Sequence, residues 1–236
     1  MGGLKYIWER YSACGKAAKL PYRGHCAEGK SMIAIIDYDA GNIKSVEKAL
    51  LFLGQKAVIT RDPETILGAD GVILPGVGAF GDAMEKLHSY GLVQVIRQCV
   101  HENKPFLGIC LGLQLLFESS EESPGVEGLG VLRGKVMRLP REEGLKIPHI
   151  GWNDLKFPNQ GRLFQGVQEG AYVYFVHSYY LKAEEESIVT ATTDYGACVH
   201  ASVEKGNVFA CQFHPEKSSD VGMQMLRNFI SIAEET

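Results

Sequence analysis

Short apolar runs alternate with amphipathic segments from Ile33 onward, and this alternation constrains the fold more than any other feature of the sequence. The first runs with the composition of buried strands lie at residues 33–37, 57–60 and 71–74. The segment after the first run places apolar side chains at helical spacing, with Asn42 as its predicted cap and Gly54 after its end. Because strands that alternate with helices pair in parallel, the sequence predicts an α/β fold in which helices flank a mostly parallel sheet.

The later half of the chain changes character, because strand-like runs follow one another with turn residues between them. These runs lie at residues 131–139, 151–157, 172–177, 188–193 and 197–204. Lys205, Gly206 and Asn207 predict a hairpin turn that leads into another apolar strand. A last helix is predicted from residue 218 to about residue 232. We therefore expect antiparallel additions to the sheet, within one domain that spans residues 32–236.

Residues 1–31 have no sustained hydrophobic periodicity and carry more basic than acidic side chains. The segment has no apolar core of the kind that a secretory signal needs, and Tyr6 stands where a myristoylation signal needs Ser or Thr. Its basic bias fits an organelle transit segment, but Glu9, Glu28 and the scarcity of serine favour an upstream-start extension. We therefore expect a separate N-terminal extension, with Met32 as the natural start of the domain.

Cys110 ends an apolar strand pattern and has a glycine two residues away on either side, Gly108 and Gly112. This spacing is typical of a nucleophile elbow, where the turn from strand to helix is so tight that nearby residues must lack a side chain. Residues 111–117 predict the helix, whose free N–H groups favour a thiolate and can hold an oxyanion. A lone buried cysteine is usually structural, but the two glycines favour a nucleophile here.

A thiol nucleophile needs a base, and His214 is the histidine that fits this role best. An apolar strand pattern ends just before it, and Pro215 and Glu216 follow. Pro215 favours extended geometry at His214, and side chains two residues apart on an extended chain point the same way. Glu216 is therefore predicted to orient the imidazole and to stabilise its protonated form. A His-Pro-Glu sequence is equally common in a solvated turn, so this prediction depends on the pairing with Cys110.

A glycine-rich loop follows the third strand and precedes a helix, and it contains Gly76, Val77 and Gly78. Its backbone can supply a second N–H group to an oxyanion. A plain turn between strand and helix has the same composition, and the loop lacks the lysine of a phosphate-binding P-loop. The loop alone does not decide between these functions.

Composition argues against several other classes of function. The formal net charge of −4 and the lack of a basic stripe argue against nucleic-acid binding, and no apolar run approaches the ~20 residues that span a bilayer. The six cysteines and seven histidines show no metal-ligand spacing, so we expect neither a metal nor another cofactor. A chain of 236 residues needs no disulfide framework, which favours a reducing cytoplasm.

Three motifs, in this order, resemble those of the class I glutamine amidotransferases. They are PGVG at residues 75–78, GICLG at residues 108–112 and HPE at residues 214–216. Within that family, four longer sequences look like the glutaminase subunits of imidazole glycerol phosphate synthase, which act in histidine biosynthesis. These are PGVGAF at 75–80, PHIGWN at 148–153, YFVHSY at 174–179 and HPEKS at 214–218. The resemblance covers residues 32–236 and implies a flavodoxin-like fold.

The resemblance also implies a mechanism. Cys110 attacks the side-chain amide of glutamine, His214 protonates the departing ammonia and then activates water, and Glu216 holds His214. The N–H of Leu111 and one from the loop at residues 76–78 hold the oxyanion, if need be after a peptide of that loop reorients. No cofactor takes part.

Three further positions resemble the glutamine-binding positions of the family. They are the side chain of Gln114 and the backbone at Ser178 and Tyr179. The alternatives are an exposed polar side chain on the elbow helix and an ordinary strand end.

In this family the ammonia passes to a partner, a (β/α)8-barrel cyclase, within a heterodimer. The resemblance places four residues at that interface, namely Asn42, Trp152, Tyr174 and Lys217. Trp152 could equally be a core aromatic, but Pro148 and Asp154 flank its segment and favour a loop, where an exposed tryptophan suits an interface.

Two other functions stay open on the sequence. One is the glutaminase of a related amidotransferase of the anthranilate, GMP or CTP type, because the cysteine and the His-Pro-Glu sequence would be the same. The other is a catalytically silent subunit that only stimulates a barrel partner, although intact Cys110, His214 and Glu216 argue against it.

Overall fold

The computed structural model describes residues 31–236, within which strands and helices alternate as predicted. In chain order the strands are β1 (Met32–Ile36), β2 (Lys56–Thr60), β3 (Gly71–Leu74), β4 (Phe106–Ile109), β5 (Ser119–Ser120), β6 (Gly134–Arg138), β7 (His149–Asp154), β8 (Tyr172–His177), β9 (Tyr179–Ala183), β10 (Val189–Asp194), β11 (Cys198–Lys205) and β12 (Val208–Cys211). The helices are α1 (Ile43–Phe52), α2 (Pro63–Leu67), α3 (Phe80–Ser89), α4 (Leu92–His101), α5 (Leu111–Leu115) and α6 (Ser219–Glu234). Short 3-10 turns lie at Arg162–Phe164, Glu186–Ile188 and Pro215–Lys217.

The central sheet has seven strands in the order β10-β11-β12-β4-β3-β1-β2. The strands from β12 to β2 run parallel, whereas β11 is antiparallel to both β10 and β12. The predicted mostly parallel sheet with antiparallel additions is therefore confirmed. Because parallel strands end at the same edge, the segments that follow the neighbours β3, β4 and β12 meet there. These segments carry the glycine-rich loop, the predicted nucleophile and the predicted base.

Two apolar layers cover the faces of this sheet. Ile33 and Ile35 of β1 belong to the layer that contains the buried side chains of α1 and α6, whereas Ala34 and Ile36 belong to the layer of α3 and α4. Such burial on both faces explains why the parallel strands are continuously apolar. Each fully buried aliphatic side chain contributes about 1.5–3 kcal/mol. No helix within residues 31–236 combines the length and the apolar character that a membrane span requires.

Two helix termini differ from the prediction. Asn42 precedes α1 in a left-handed conformation with φ of 72°, and its side chain does not cap the helix, because that side chain is bonded elsewhere. The elbow helix α5 ends at Leu115 rather than at residue 117. The reason is that the N–H groups of Leu116 and Phe117 donate to the carbonyl oxygens of Leu113 and Gln114, three residues back, so that the α-helical pattern ends in a tighter turn.

Strand β9, like the short elements α2 and β5, was not predicted from the sequence. It begins one residue after β8 and pairs antiparallel with β6, whereas β8 pairs with β7. Ser178 is therefore the point at which the chain leaves one small sheet and enters another. The predicted run at residues 172–177 coincides with β8, but no glycine or proline marks the change, so the sequence does not reveal that a second strand begins at Tyr179.

The predicted N-terminal extension lies outside the described residues, with the exception of Ser31. The side-chain amide of Gln55, which is only 3% exposed, donates to the Ser31 hydroxyl at 3.0 Å and also to the Ser31 carbonyl oxygen. Ser31 is thus hydrogen-bonded to the end of the segment that joins α1 to β2.

Candidate active site

Cys110 occupies a sharp turn between β4 and α5, as the elbow prediction requires. Its φ of 55° and ψ of −106° are strained for a residue with a side chain, and such strain is concentrated at functional sites. A Cβ atom on Gly108 would lie 2.8 Å from the carbonyl oxygen of Gly112, and one on Gly112 would lie 1.8 Å from that of Leu74. Both glycines are therefore sterically required by the close approach of α5 to β3 and β4.

The imidazole of His214 is paired with the carboxylate of Glu216. Its Nδ1 atom lies 2.7 Å from Oε1 of Glu216, and both side chains are fully buried. The residues from Pro215 to Lys217 form a 3-10 turn, so the prediction that Glu216 reaches the ring along an extended chain is wrong. The turn brings the two side chains together instead, because it folds Glu216 back toward Nδ1.

Two neighbours hold this turn in place. The backbone N–H of His214 donates to the carbonyl oxygen of Tyr174 at 3.0 Å. The hydroxyl of Ser218 donates to the carbonyl oxygen of His214 at 2.6 Å and accepts the N–H of Tyr174 at 3.0 Å. The position of the imidazole is therefore fixed by strand β8.

The environment of His214 favours its protonated form. Burial disfavours the charge, but interaction with Cys110 and the hydrogen bond to Glu216 outweigh it and raise the pKa of His214 to about 9. The other ring nitrogen, Nε2, is buried and has no hydrogen bond of ordinary geometry within residues 31–236. The ring therefore has a free nitrogen available for proton transfer close to the thiol.

One of the two predicted oxyanion donors, the N–H of Leu111, is not free in this structure. The N–H of Leu111 donates to the carbonyl oxygen of Gly76 at 3.2 Å, so the loop itself fills the place of an oxyanion. Gly78 has φ of 119°, a conformation that glycine adopts without strain, and Val77 is 38% exposed at the rim. A turn of the peptide between Gly76 and Val77 would free the Leu111 N–H and present that of Val77.

A cavity of about 280 Å³ opens beside the thiol. Its lining includes the predicted oxyanion and glutamine-binding residues Val77, Gly78, Cys110, Leu111, Gln114, Ser178 and Tyr179. Gln114 is 5% exposed, so the alternative of an exposed helical side chain is wrong. A larger open groove of about 600 Å³ lies beside Arg162 and Glu204, but its lining contains neither a cysteine nor a histidine.

The four residues predicted at a partner interface surround the turn that carries His214. Trp152 is 51% exposed, and its ring meets that of Tyr174 edge-on at 6.1 Å. It lies within strand β7 opposite Tyr174, so the prediction of a loop setting is wrong, although the predicted exposure is found. Asn42 donates to Oε1 of Glu216 at 2.6 Å, and Lys217 is exposed. Asn42 is thus also a direct partner of the buried carboxylate.

Sequence reasoning missed Gln212, whose side-chain nitrogen lies 3.7 Å from the sulfur of Cys110. The signal was available, since Gln212 stands two residues before His214 at the end of an extended segment. It also missed a buried histidine pair, in which Nδ1 of His149 lies 3.0 Å from Nε2 of His177. Within the described part of the chain, no group of three or more His, Cys, Asp or Glu residues is arranged to hold a metal ion.

Comparison with known proteins agrees with this geometry. The family model "Glutamine amidotransferase class-I" matches residues 34–233. The imidazole glycerol phosphate synthase subunit HisH of Moorella thermoacetica is 55% identical over 197 residues, which are 84% of this chain and 93% of that protein. The chain belongs to the class I glutamine amidotransferase family, among its HisH proteins. The HisH subunit of Bacillus cereus is 53% identical over 203 residues, which cover 86% of this amidotransferase and 96% of the relative.

Solved structures support the fold of this amidotransferase. A crystal structure of a glutamine amidotransferase superimposes with a TM-score of 0.68 at 24% identity, over 85% of this chain and 98% of that one. The structure of PurLQS from Thermotoga maritima gives a TM-score of 0.67 at 19% identity, over 86% of this chain and 99% of that one. The predicted family and the predicted class I amidotransferase fold are therefore confirmed. Identities above 50% to HisH proteins do not favour an anthranilate, GMP or CTP type of amidotransferase.

Proposed function

We propose that this amidotransferase is the glutaminase subunit of imidazole glycerol phosphate synthase, with Cys110, His214 and Glu216 as its catalytic triad. The observation that carries the proposal is the strained elbow at Cys110 beside a buried His214–Glu216 pair whose free ring nitrogen lies near the thiol. This combination supplies a nucleophile, a proton donor and acceptor, and a group that orients the imidazole.

The first half of the reaction forms a thioester. The Cys110 thiolate attacks the side-chain carbonyl carbon of glutamine, and the negative charge moves to the carbonyl oxygen. The carbon–nitrogen bond then breaks, and the proton on Nε2 of His214 passes to the nitrogen, which leaves as ammonia. The high pKa of His214, raised against burial by Cys110 and Glu216, suits this step because the imidazole starts protonated.

The second half regenerates the thiol. His214, now neutral, takes a proton from water, and the hydroxide oxygen attacks the thioester carbon. The carbon–sulfur bond breaks, and glutamate leaves. Glu216 keeps Nδ1 protonated throughout, so that Nε2 is the atom that exchanges protons.

The glutamine site is proposed to lie in the cavity beside the thiol. Gln114, Ser178 and Tyr179 line it and would bind the amino-acid end of glutamine. The N–H groups of Leu111 and Val77 would hold the oxyanion once the peptide between Gly76 and Val77 has turned. Loss of one such donor typically costs about 10²–10³ in rate, so the resting conformation is proposed to be a poor glutaminase.

The proposed partner is the (β/α)8-barrel cyclase, which uses the ammonia to close the imidazole ring of a phosphoribulosyl aminoimidazole-carboxamide nucleotide. Asn42, Trp152, Tyr174 and Lys217 are proposed contacts, since they surround the turn that carries the base. We also propose a cytoplasmic location. The four described cysteines are free thiols, which fits a reducing compartment.

The test is a coupled assay with the full chain, the purified cyclase, glutamine and the nucleotide, in which glutamate and ring product are measured together. Cys110→Ala should abolish glutamate release but leave ring formation from added ammonia intact. Cys198→Ala, which removes an exposed thiol, is the matched control and should change neither rate. Equal glutamate release by the Cys110→Ala variant and the wild-type chain would refute the triad, and a partner other than this cyclase would refute the subunit assignment.

A further inference from the structure

A continuous set of hydrogen bonds leads from a backbone carbonyl to the sulfur of Cys110. The side-chain nitrogen of Gln114 donates to the carbonyl oxygen of Tyr179 and to Oε1 of Gln212, both at 3.0 Å. The side-chain nitrogen of Gln212 then faces the sulfur at 3.7 Å, within the range for a hydrogen bond to sulfur. Gln212 is fully buried and Gln114 nearly so.

The chemistry of the carbonyl group decides which way each amide points. A backbone carbonyl oxygen can only accept, so Gln114 must present its NH2 group to Tyr179. That same NH2 group has its second hydrogen for Gln212, which must therefore present its oxygen to Gln114. The NH2 group of Gln212 is consequently left on the side of the sulfur, because a reversed Gln212 amide would place its NH2 group against the NH2 group of Gln114.

The histidine pair fixes the same carbonyl from the other side. Nδ1 of His177 lies 2.9 Å from the Tyr179 oxygen and must carry the proton there. Burial lowers the pKa of His177 to about 3 and that of His149 to about 4, so both rings are neutral near pH 7. Nε2 of His177 is then an acceptor for Nδ1–H of His149. The Tyr179 carbonyl is thus held between two donors, which keeps it aimed at Gln114.

We propose that Gln212 is a further catalytic residue of this amidotransferase, whose side-chain NH2 group, held in one orientation by Gln114 and the Tyr179 carbonyl, donates a hydrogen bond to the sulfur of Cys110 and stabilises the thiolate. The inference rests on the proposed function, since it presupposes that Cys110 is the nucleophile. His214 supplies the opposite charge to the thiolate, whereas Gln212 supplies a neutral donor that does not change with pH. The donor is thereby present both when the thiolate attacks glutamine and when the thiolate leaves the thioester in the second half of the reaction.

The test compares two near-isosteric variants of the full chain, Gln212→Met and Gln212→Glu. Met removes the donor, and Glu places carboxylate oxygen against the sulfur, where like charges repel. The rate of alkylation of Cys110 by iodoacetamide is measured against pH, with the Cys110 peptide followed by mass spectrometry to separate it from the other thiols. The midpoint of this profile should rise by about one pH unit or more in Gln212→Met, and further in Gln212→Glu, with a roughly tenfold loss of rate at neutral pH for each unit.

Turnover should follow the alkylation profile. With cyclase present, kcat for glutamine should fall about 10- to 100-fold, as expected for loss of a hydrogen bond to a charged group, with a smaller change in KM. Ring formation from added ammonia should not change. Ser202→Ala is the matched control, because it removes a buried hydrogen bond to Ala210 in the same sheet without touching the sulfur, and it should leave the midpoint in place.

An unmoved midpoint in both Gln212 variants would overturn the inference. If the variants fail to fold, the wild-type chain still tests the proposal. The side-chain amide signal of Gln212, followed by NMR against pH, should shift with the same midpoint as the alkylation rate. A flat signal would refute the proposed hydrogen bond. These outcomes are separate from failure of the proposed function, which is signalled by glutaminase activity that survives Cys110→Ala.

Discussion

The carbonyl oxygen of Gly76 accepts the N–H of Leu111 at 3.2 Å, and this one bond occupies a donor that we propose for the oxyanion. The N–H in question is the first of the elbow helix and belongs to the residue after the proposed nucleophile. On the proposed mechanism, activation of the glutaminase would require that the Gly76 carbonyl leave this position. The side chain of Tyr38 lies against Gly76 and would therefore affect this movement of the Gly76 carbonyl.

Gly76→Ala should be destabilising because of one specific contact. A Cβ atom at this position would lie 1.9 Å from the hydroxyl oxygen of Tyr38 and 3.2 Å from its ring. The Tyr38 hydroxyl is buried and has no hydrogen-bond partner within residues 31–236. We expect Gly76→Ala to lower the free energy of unfolding in urea by about 1–3 kcal/mol, and Tyr38→Phe to be neutral or slightly stabilising.

The double variant Gly76→Ala/Tyr38→Phe should recover part of this loss, with a coupling free energy of about 0.5–3 kcal/mol. Gly78→Ala is the control, because a Cβ atom there meets nothing within 4 Å and its cost comes from φ alone. Strict additivity of the two changes at residues 76 and 38 would contradict the proposed clash.

The stability of the fold should depend on pH through His214. Burial works against the charge, but Cys110 and Glu216 raise the pKa of His214 from 6.5 to about 9. Between these values the folded chain retains a proton that the unfolded chain has lost, so the contribution of His214 is complete below pH 6.5 and disappears as pH rises through 9. The free energy of unfolding, measured in urea from pH 6 to 9.5, should fall across this window.

Glu216→Gln removes one cause of the raised pKa of His214 and should therefore move the upper limit of the window to lower pH. Glu185→Gln is a matched control, since Glu185 forms an ion pair with Lys205 that is largely exposed. A pH profile that is the same in the wild-type chain and in Glu216→Gln would mean that the carboxylate does not stabilise the imidazolium.

Trp152→Ala should weaken the complex with the cyclase about 10- to 100-fold, because exposed aromatic side chains near the centre of an interface carry much of its binding energy. Half of Trp152 is already exposed in the free chain, so its loss should change the free energy of unfolding by less than about 1 kcal/mol. Phe52→Ala is the control, since Phe52 is 79% exposed at the far end of α1. Titration calorimetry that gives equal affinities for both variants would remove Trp152 from the interface.

Two truncated chains test whether Ser31 contributes to the stability of the domain. A chain that begins at Ser31 keeps both hydrogen bonds to the Gln55 amide, whereas a chain that begins at Met32 loses them. Both should fold and hydrolyse glutamine with the cyclase. The shorter chain should be less stable in urea by about 1–3 kcal/mol, because the buried amide loses both bonds to Ser31 and keeps only the long bond to the Lys56 carbonyl oxygen, at 3.4 Å. Equal stability would show that Gln55 finds other partners.

The elbow at Cys110 was predictable because its requirements are local. A turn of this tightness excludes side chains at Gly108 and Gly112, and both glycines can be recognised within the five consecutive residues 108–112. The sheet was predictable for a similar reason, since buried parallel strands are apolar throughout. The conformation of the segment from Pro215 to Lys217 was not, because a 3-10 turn and an extended chain can both bring Glu216 to His214.

Contacts between distant parts of the chain were the hardest features to predict from the sequence. The bond from Asn42 to Glu216 joins residues 174 positions apart, and the helix-capping preference of asparagine favoured a local partner instead. The approach of Gln212 to Cys110 likewise depends on β12 lying beside β4. Strand order was not predicted from the sequence, so Asn42 could not be paired with Glu216, and the only signal for Gln212 was its position two residues before His214.

The nucleophile and the base rest on different supports. Cys110 is anchored on the central sheet, whereas the backbone of His214 is clamped to Tyr174 of the β7–β8 ribbon, directly and through the Ser218 hydroxyl. Displacement of the outer rings of that ribbon would act on the imidazole through these backbone bonds, whereas it could reach the sulfur only through the longer series of hydrogen bonds from His177 to Gln212. The separation of the proposed base from the proposed nucleophile would thus respond to contacts on the outer face of the ribbon more than the packing beneath the thiol does.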